Sequence, residues 1–403
     1  MLTTDGRMLF STRIARLFAY GFLSVVLVLY LAQAGLNEAS IGLLLTLTLI
    51  GDTAISLWLT TRADRFGRRR TLIVGAGLMI FAGLLFAITK DFFVLLIAAT
   101  IGVISPSGNE VGPFLSIEQA ALAQIISNDR RTSVFAWYGL VGSFATALGA
   151  LCGGALAQVL QTRVTPLESY RMIVIGYAIM GGVLGVLFTR LSRAVETPVP
   201  LVPRPSLLGL HRSRTTVFKL SALFSLDAFA GGFVVQSFVA YWFYLRFGVQ
   251  PAVLGSIFFG ANILAGLSAL MAARVARRIG LIRTMVFTHI PSNILLILVP
   301  LMPTLPLAIL MLLLRFSISQ MDVPTRQSYT LAVVEPDERS AAAGVTGVAR
   351  TTGAALSPSI TGALMGSALL LNVPFLISGG LKIIYDVLLY RSFKSIRPPE
   401  EQV

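Results

Sequence analysis

Eight ionisable side chains interrupt stretches of the sequence that are otherwise apolar. Even lenient insertion scales assign about 2.5–3.5 kcal/mol to a charged side chain at the centre of a bilayer, so such residues are functional candidates. Carboxylates in these places can carry protons or bind cations, and arginines can bind anions or neutralise the carboxylates. The eight residues are Asp52, Glu110, Glu118, Asp227, Arg315, Asp322, Arg326 and Arg350.

These residues stand out because the chain as a whole has few charges. Of its 403 residues, 55% are hydrophobic and 12% are charged, whereas soluble proteins have roughly 25% charged residues. This composition excludes a disordered chain, a nucleic-acid-binding domain and an ordinary soluble enzyme. The single cysteine, Cys152, excludes a disulfide framework, and two histidines leave little material for a transition-metal site.

Twelve apolar stretches are each long enough to cross a bilayer, which takes about 20 residues. They predict an all-α membrane protein with twelve transmembrane spans, numbered here in chain order. Spans 1 to 6 cover residues 9–33, 38–61, 71–89, 92–127, 133–161 and 167–190. Spans 7 to 12 cover residues 217–247, 251–273, 284–302, 305–334, 340–366 and 373–391.

A hydrophilic connection with four prolines, residues 191–216, separates span 6 from span 7 and is typical of a linker. It divides the chain into an N-terminal six-helix bundle, residues 1–190, and a C-terminal one, residues 217–403. If successive loops of the twelve spans lie on alternating sides of the membrane, 22 of the 32 Lys and Arg residues lie on the side of the N-terminus and four lie on the other side. Because basic residues collect in cytoplasmic loops, both termini are predicted to be cytoplasmic. We expect a bacterial inner (plasma) membrane as the location.

Local sequence signals recur in the two halves of the chain. The segment 65–71 (RFGRRRT) recurs 213 residues later as 278–284 (RIGLIRT). Gln119 and the charged loop after it recur 208 residues later as Gln327 and its loop. Two six-helix halves with the same orientation form a parallel repeat, whose axis runs along the membrane normal.

Residues 62–70 (RADRFGRRR), between spans 2 and 3, resemble the loop signature of the major facilitator superfamily, G-x-L-A-D-R-x-G-R-R/K. The match begins at Ala63, and Thr60 stands where the signature has its leading glycine. The resemblance covers the whole chain in architecture, with twelve helices, a repeat of six and a central basic linker. It implies two pseudo-symmetric six-helix bundles that move a small solute by alternating access.

The resemblance also implies a gate on the cytoplasmic side. In the family the acid of the signature, here Asp64, pairs with a nearby arginine and with the N-terminus of span 11, which locks the two halves together. Gly67 permits the tight turn of this loop. The alternative is that the arginines only enforce topology. The candidate gate residues, with their counterparts in later loops, are Asp64, Arg65, Gly67, Arg68, Arg131 and Arg339.

In the family, spans 1, 4, 7 and 10 line a central cavity. Residues 105–113 of span 4 (SPSGNEVGP) contain two prolines and two glycines, which predict a broken helix near mid-membrane. Glu110 lies in this segment. It is a proton-coupling carboxylate or a ligand for a cationic group, or else it binds backbone N–H groups that the break sets free.

Glu118 and Arg326 are aligned by the repeat and are predicted to pair across the pseudo-twofold axis, as an ion pair that could act as a switch. The alternatives for Glu118 are a pair with Arg131 and contact with the substrate. The polar segment around Pro324 in span 10 cannot face lipid. The cavity-lining candidates of spans 4 and 10 are Glu110, Glu118, Gln119, Asp322, Arg326 and Gln327.

Three further residues each have two interpretations. Asp52, near the centre of span 2, is a proton carrier or a structural acid within its own helix. Asp227 in span 7 is a cavity carboxylate or the partner of Arg350. Arg350 in span 11 binds an anionic substrate or neutralises one of the acids.

The sequence contains no Walker loop and no HExxH motif, so we expect no ATP-driven transport, no enzymatic activity, no cofactor and no metal. Residues 149–154 (GALCGG) weakly resemble the antiporter signature of drug exporters, with Ala150 in place of its proline. The carboxylates favour protons as the coupling ion. The leading hypothesis is a monomeric secondary transporter in the lipid bilayer that exports an organic or amphipathic compound and has no nucleic-acid partner. The alternatives are proton-coupled uptake of a small organic anion and a non-transporting membrane sensor or lipid-handling protein.

Overall fold

The computed structural model describes residues 3–196, 210–335, 338–394 and 396, and the described residues form sixteen α-helices. The first eight are α1 (Thr4–Ser24), α2 (Leu27–Gln33), α3 (Glu38–Phe66), α4 (Arg68–Ile88), α5 (Phe92–Ile101), α6 (Phe114–Ile125), α7 (Asn128–Leu160) and α8 (Pro166–Thr189). The second eight are α9 (Arg214–Gly232), α10 (Gln236–Phe247), α11 (Pro251–Ile279), α12 (Leu281–Leu298), α13 (Leu305–Phe316), α14 (Asp322–Ala332), α15 (Arg339–Met365) and α16 (Val373–Phe393).

The transmembrane character of the chain is confirmed, although not for every predicted span. Within the described residues, eight segments are long and apolar enough to cross a membrane, and the bent pair α1 and α2 makes a ninth. The other three predicted spans correspond to the pair α5 and α6, the pair α13 and α14, and helix α15. These three do not meet the same requirement of length and apolar character. Eight or nine of the twelve predicted spans are therefore supported.

Four of the predicted spans are divided into two helices each. Span 1 consists of α1 and α2, span 4 of α5 and α6, span 7 of α9 and α10, and span 10 of α13 and α14. In span 4 the division has the cause that the sequence indicates. Gly108 and Gly112 adopt positive φ angles of 70° and 78°, which a glycine tolerates and a helix does not contain. The predicted break in span 4 is therefore confirmed.

The chain divides into two compact units. Unit 1 comprises Met1–Val202 and Val235–Asn262, and unit 2 comprises Pro203–Val234 and Ile263–Val403. Helix α10 and the first part of α11 thus pack with the helices of the N-terminal half. The domain boundaries drawn from the linker follow chain order instead, and they stay a prediction.

Within unit 1, the breaks of three spans meet through hydrogen bonds. The amide of Gln236, at the start of α10, donates to the hydroxyl of Ser24 at the end of α1 over 2.8 Å. The N–H of Ser237 donates to the carbonyl of Pro106 over 3.1 Å. These bonds satisfy backbone and side-chain groups that a broken helix leaves unpaired, which a bilayer interior requires.

Glycines allow one close helix pair in each unit. In unit 1, a Cβ atom at Gly21 of α1 would overlap the carbonyl oxygen of Thr146 in α7. In unit 2, a Cβ atom at Gly232 of α9 would overlap Ser357 and the carbonyl oxygen of Ala354 in α15. Small residues let membrane helices approach in this way. Helix α1 carries the central arginine of the first charge cluster described next, and α9 carries the central aspartate of the second.

Candidate functional site

Unit 1 contains a charge cluster centred on Arg16 of α1. The Arg16 side chain has no solvent exposure. All three of its nitrogens donate hydrogen bonds: two reach the carboxylate of Glu118 over 2.7 and 2.8 Å, and contacts of 3.1 Å join it to Glu110. Arg13, one turn earlier, also pairs with Glu110 and donates to the carbonyl of Tyr138 over 2.6 Å. Two cations and two carboxylates therefore neutralise each other inside this unit.

Glu118 of α6 is saturated with donors. Besides Arg16, it accepts a hydrogen bond from the hydroxyl of Thr12 over 2.7 Å and one from the hydroxyl of Tyr138. The Glu118 side chain has no solvent exposure. Its partner is thus Arg16, not Arg326 as predicted, because α1 brings a buried arginine against α6.

Asp52 satisfies the broken backbone of span 4. Its carboxylate accepts the N–H of Gly112 over 2.6 Å and a hydrogen bond from Ser56 over 3.3 Å. By sequence, Glu110 was one candidate to bind the backbone N–H groups that the break in span 4 sets free. In the structure Asp52 binds one of these groups, whereas Glu110 pairs with the two arginines. These contacts favour the interpretation of Asp52 as a structural acid over that of a proton carrier.

Unit 2 contains a second cluster, centred on Asp227 of α9. The Asp227 carboxylate lies 2.6 Å from Nζ of Lys382, 3.2 Å from Arg350 and 3.6 Å from Arg326. The contact of Asp227 with Arg350, one of its two interpretations from the sequence, is present in the structure, and a role of Asp227 in a cavity stays a prediction. Arg326 donates to Asp322 over 2.6 Å, one turn earlier in α14. The Arg350 side chain keeps 32% of its exposure, so one cation of this cluster remains partly accessible.

A histidine connects the Asp227 cluster to another carboxylate. The Nδ1 atom of His289 in α12 lies 2.9 Å from Asp386 in α16, and its Nε2 atom lies 3.9 Å from Asp227. Asn293 donates to Asp386 over 3.0 Å. All four side chains are buried. An imidazole carries a proton on one or both of its ring nitrogens, so His289 places a proton-carrying side chain between two buried acids.

The loop residues of the predicted gate have local partners where the structure describes them. Gly67 adopts a φ angle of 102° between α3 and α4, as the tight turn requires. The backbone N–H of Arg68 donates to Glu196 over 2.7 Å, and its guanidinium donates to Gln124 over 2.8 Å. Arg339 donates to the carbonyl of Leu331 over 3.0 Å.

For three candidate gate residues the structure gives no contact that bears on the gate. Arg65 is exposed at the end of α3. The side chains of Asp64 and Arg131 lie outside the described residues. The gate function of the whole loop stays a prediction.

Comparison with known proteins places the fold and the loop in one family. The sequence profile of the Major Facilitator Superfamily matches residues 9–358, which is most of the chain. The chain belongs to the major facilitator superfamily. The resemblance that the loop signature indicates is confirmed.

Individual relatives of this major facilitator protein agree with the assignment. An uncharacterized membrane protein of Saccharomyces cerevisiae, YJR124C, is 32% identical over 97% of the chain and 94% of its own length. The quinolone resistance protein NorA of Staphylococcus aureus is 26% identical over 34% of each chain. Among solved structures, a bacterial homologue of the human lysosomal transporter Spinster has a TM-score of 0.75 at 15% identity and covers 98% of both chains. The protein is an integral, multi-pass membrane protein of a transporter family.

Two glutamines of the predicted cavity lie beside the buried charges of this major facilitator protein. Gln119 follows the buried Glu118 on α6, and Gln327 follows the buried Arg326 on α14. Both glutamines are exposed, whereas both charged neighbours are buried. The repeat therefore places an exposed amide next to a buried charge in each unit.

Five members of the two clusters were not singled out by the sequence analysis. Arg13 and Arg16 lie near the start of span 1, where basic residues usually mark topology. Lys382 and Asp386 lie in the last span and are one turn apart, a spacing that indicates a helical ion pair. The missed residues are Arg13, Arg16, His289, Lys382 and Asp386. Their positions inside apolar stretches were the signal that could have identified them.

The two clusters have opposite charges at corresponding positions. Arg16 precedes Gly21 by five residues, and Asp227 precedes Gly232 by five residues. Each of these glycines packs against the partner helix of its unit. The repeat also aligns Glu118 with Arg326. Unit 1 therefore has a central cation held by carboxylates, and unit 2 has a central anion held by cations.

Proposed function

We propose that this protein is a secondary active transporter that exports a small organic or amphipathic compound in exchange for protons. The family assignment supports the general part of this proposal. The observation that carries proton coupling is His289, which lies 2.9 Å from Asp386 and 3.9 Å from Asp227 inside unit 2. A side chain that can carry a proton on either ring nitrogen thereby lies between two buried acids.

The contacts of Asp227 suggest how a proton alters the cluster. Asp227 is shared by Lys382, Arg350 and Arg326. A proton on His289 adds a fourth cation beside the Asp227 carboxylate. The attraction between this carboxylate and each of its other three cations then becomes weaker. A ligand or proton can shift a conformational equilibrium only by interacting differently with the two states. We propose that release of Arg350 is this difference, since Arg350 is the partly exposed partner.

Similarity to NorA supports export as the direction. NorA is named as a quinolone resistance protein, and the similarity covers 34% of the chain. Uptake of a small organic anion is the second candidate. The partial exposure of Arg350 favours it, whereas Arg326 is already neutralised by Asp322 at 2.6 Å.

The test measures flux in proteoliposomes with a pH-sensitive dye inside and a panel of fluorescent amphipathic compounds that includes quinolones. We expect a pH gradient to drive net movement of at least one compound in the wild type. His289→Gln should abolish this net movement and retain exchange of labelled for unlabelled compound. His211→Gln is the matched control, because His211 is the other histidine of the chain and has an exposed side chain.

Each part of the proposal has its own contrary outcome. If vesicles with an acidic exterior accumulate the compound instead of losing it, the protein takes up its substrate together with protons. Net flux of His289→Gln equal to that of the wild type would remove His289 from the coupling scheme. Failure of intact protein to move any compound under any gradient would favour the non-transporting sensor.

A further inference from the structure

Among the described residues of unit 2, the carboxylates inside the predicted spans pair with some of the cations there and leave one cation without an acidic partner. Asp227 binds Lys382, Arg350 and Arg326, and Asp322 binds Arg326. Asp386 binds His289 and Asn293. In the part of the chain that the structure describes, these ion pairs leave Arg315 without an acidic partner. It is a cation inside predicted span 10, and its interactions with Asp227 and Asp322 are longer-range electrostatic ones.

Arg315 has a partly buried side chain. It is the second-last residue of α13, at the break inside span 10. Its Nε atom is buried and has no hydrogen-bond partner. The guanidinium lies 5.0 Å from the centroid of the Phe316 ring. Ionisable residues in membrane spans almost always pair with other groups, so an unpaired one indicates a partner that comes and goes.

The break next to Arg315 offers a second polar group. The backbone N–H of Ser319 donates to the carbonyl of Arg315 over 3.0 Å, which keeps the two residues within one turn. The Ser319 hydroxyl is buried and also has no hydrogen-bond partner. A guanidinium presents five N–H donors in a fork that fits a carboxylate or phosphate with two parallel bonds.

We infer that Arg315, with the Ser319 hydroxyl, binds an anionic group of the transported compound. The inference rests on the proposed transport function and narrows its substrate class to amphipathic compounds that carry a carboxylate or a comparable anion. Bound substrate would neutralise the cation that the protein leaves unpaired. This assigns anion recognition to Arg315, in span 10, rather than to Arg326, whose charge Asp322 already neutralises.

The experiment compares aromatic carboxylic acids with their methyl esters, which differ only in the charge. The panel contains naphthoic acid, a quinolone and their methyl esters, added to the purified full-length protein in a thermal-shift assay. A compound that binds the folded form raises its apparent stability. We expect at least one acid to raise the melting temperature of the wild type more than its ester does. Loss of a hydrogen-bonded charge should weaken binding of that acid in Arg315→Gln by about tenfold or more.

Two further variants separate recognition of charge from damage to the fold. Arg315→Lys keeps the charge without the fork, so it should retain a reduced preference for the acid. Arg246→Gln, an exposed arginine at the end of α10, should retain the full preference. An equal response to acids and esters in the wild type would overturn the inference, as would a preference that persists in Arg315→Gln.

Anionic lipid has the same chemistry and is tested as a separate arm. Phosphatidylglycerol and phosphatidylcholine are added to the same variants. If only phosphatidylglycerol, and no acid, stabilises the protein through Arg315, the site belongs to a lipid headgroup and substrate recognition is overturned. Flux of an uncharged ester without flux of its acid would overturn the inference and leave the proposed transport function intact. Absence of flux for every compound would count against transport itself.

Discussion

The two charge clusters differ both in sign and in how completely they are satisfied. In unit 1, all three nitrogens of Arg16 donate to carboxylates, and Glu118 accepts from three different side chains. In the second cluster, the Oδ1 atom of Asn293, whose amide donates to Asp386, is buried and has no hydrogen-bond partner. A fully satisfied buried network specifies one structure, whereas an incompletely satisfied one can exchange partners. From this comparison we propose a structural role for the first cluster and proton coupling for the second.

The largest expected effect comes from removing the central cation of unit 1. Arg16→Gln leaves Glu118 buried without a charge partner, which costs about 3–5 kcal/mol of the free energy of unfolding. Arg350→Gln in unit 2 should cost less, because Arg350 is partly exposed and Asp227 keeps Lys382 and Arg326. Melting temperatures in detergent measure both variants.

The double variant Arg16→Gln/Glu118→Gln serves as a control for Arg16→Gln. It removes the unpaired charge and should recover part of the lost stability. If Arg16→Gln and Arg350→Gln destabilise equally, the contrast between a saturated and an exchangeable cluster is wrong.

An intermediate effect is expected at two glycines, one in each unit, where the helix that carries the central charge packs closely against a neighbouring helix. Gly21→Ala places a methyl group on the carbonyl oxygen of Thr146, and Gly232→Ala places one on Ser357 and Ala354. Overpacking of this kind costs about 1–3 kcal/mol. Gly77→Ala in α4 is the matched control, since no atom lies within 4 Å of the added group.

The glycine comparison also tests whether the two units are equivalent. Gly77→Ala should be neutral or stabilise its helix by up to about 1 kcal/mol. We expect similar losses of melting temperature for Gly21→Ala and Gly232→Ala. A loss at one position alone would show that only that unit depends on close helix contact.

The smallest expected effect concerns two glutamates that bind helix starts outside the membrane. Glu338 accepts backbone N–H groups of Arg212 and Ser213, at 2.9 and 2.8 Å, before α9. Burial raises the pKa of this carboxyl, but the hydrogen bonds from His211 and Ser213 outweigh burial and lower the pKa to about 2. Glu196 binds the N–H groups of Arg68 and Arg69 at the start of α4 in the same way.

The pH dependence of the Glu338 contribution follows from the lowered pKa. The carboxylate stabilises the folded state fully above its ordinary pKa of 4.5, and this contribution is lost as the pH falls towards about 2. The difference in melting temperature between the wild type and Glu338→Gln should therefore be constant from pH 5 to pH 8 and shrink below that range. Glu196→Gln is the comparison in unit 1 and should have a smaller effect, since Glu196 is only partly buried. A difference that grows on acidification would contradict this assignment.

Much of the architecture could be predicted because it depends on local sequence. The break in span 4 follows from its prolines and from Gly108 and Gly112, and the turn after α3 follows from Gly67. The partners of the charges could not be predicted in the same way. For Glu118 the sequence favoured Arg326 as the partner, with Arg131 as an alternative. In the structure Glu118 binds Arg16, which is 102 residues away.

The sequence by itself determined that this is a membrane protein of a transporter family, with a repeated half and the loop signature of that family. The physical reason is that a bilayer fixes the length and polarity of each span, so the information lies along the chain. Only the tertiary structure decided which charges neutralise each other. Asp227 and Lys382, for example, are 155 residues apart and meet because α9 packs on α16. In a medium of low polarity a charge needs a partner, and only the packing of the helices shows that Arg315 makes no ion pair with a carboxylate among the residues described.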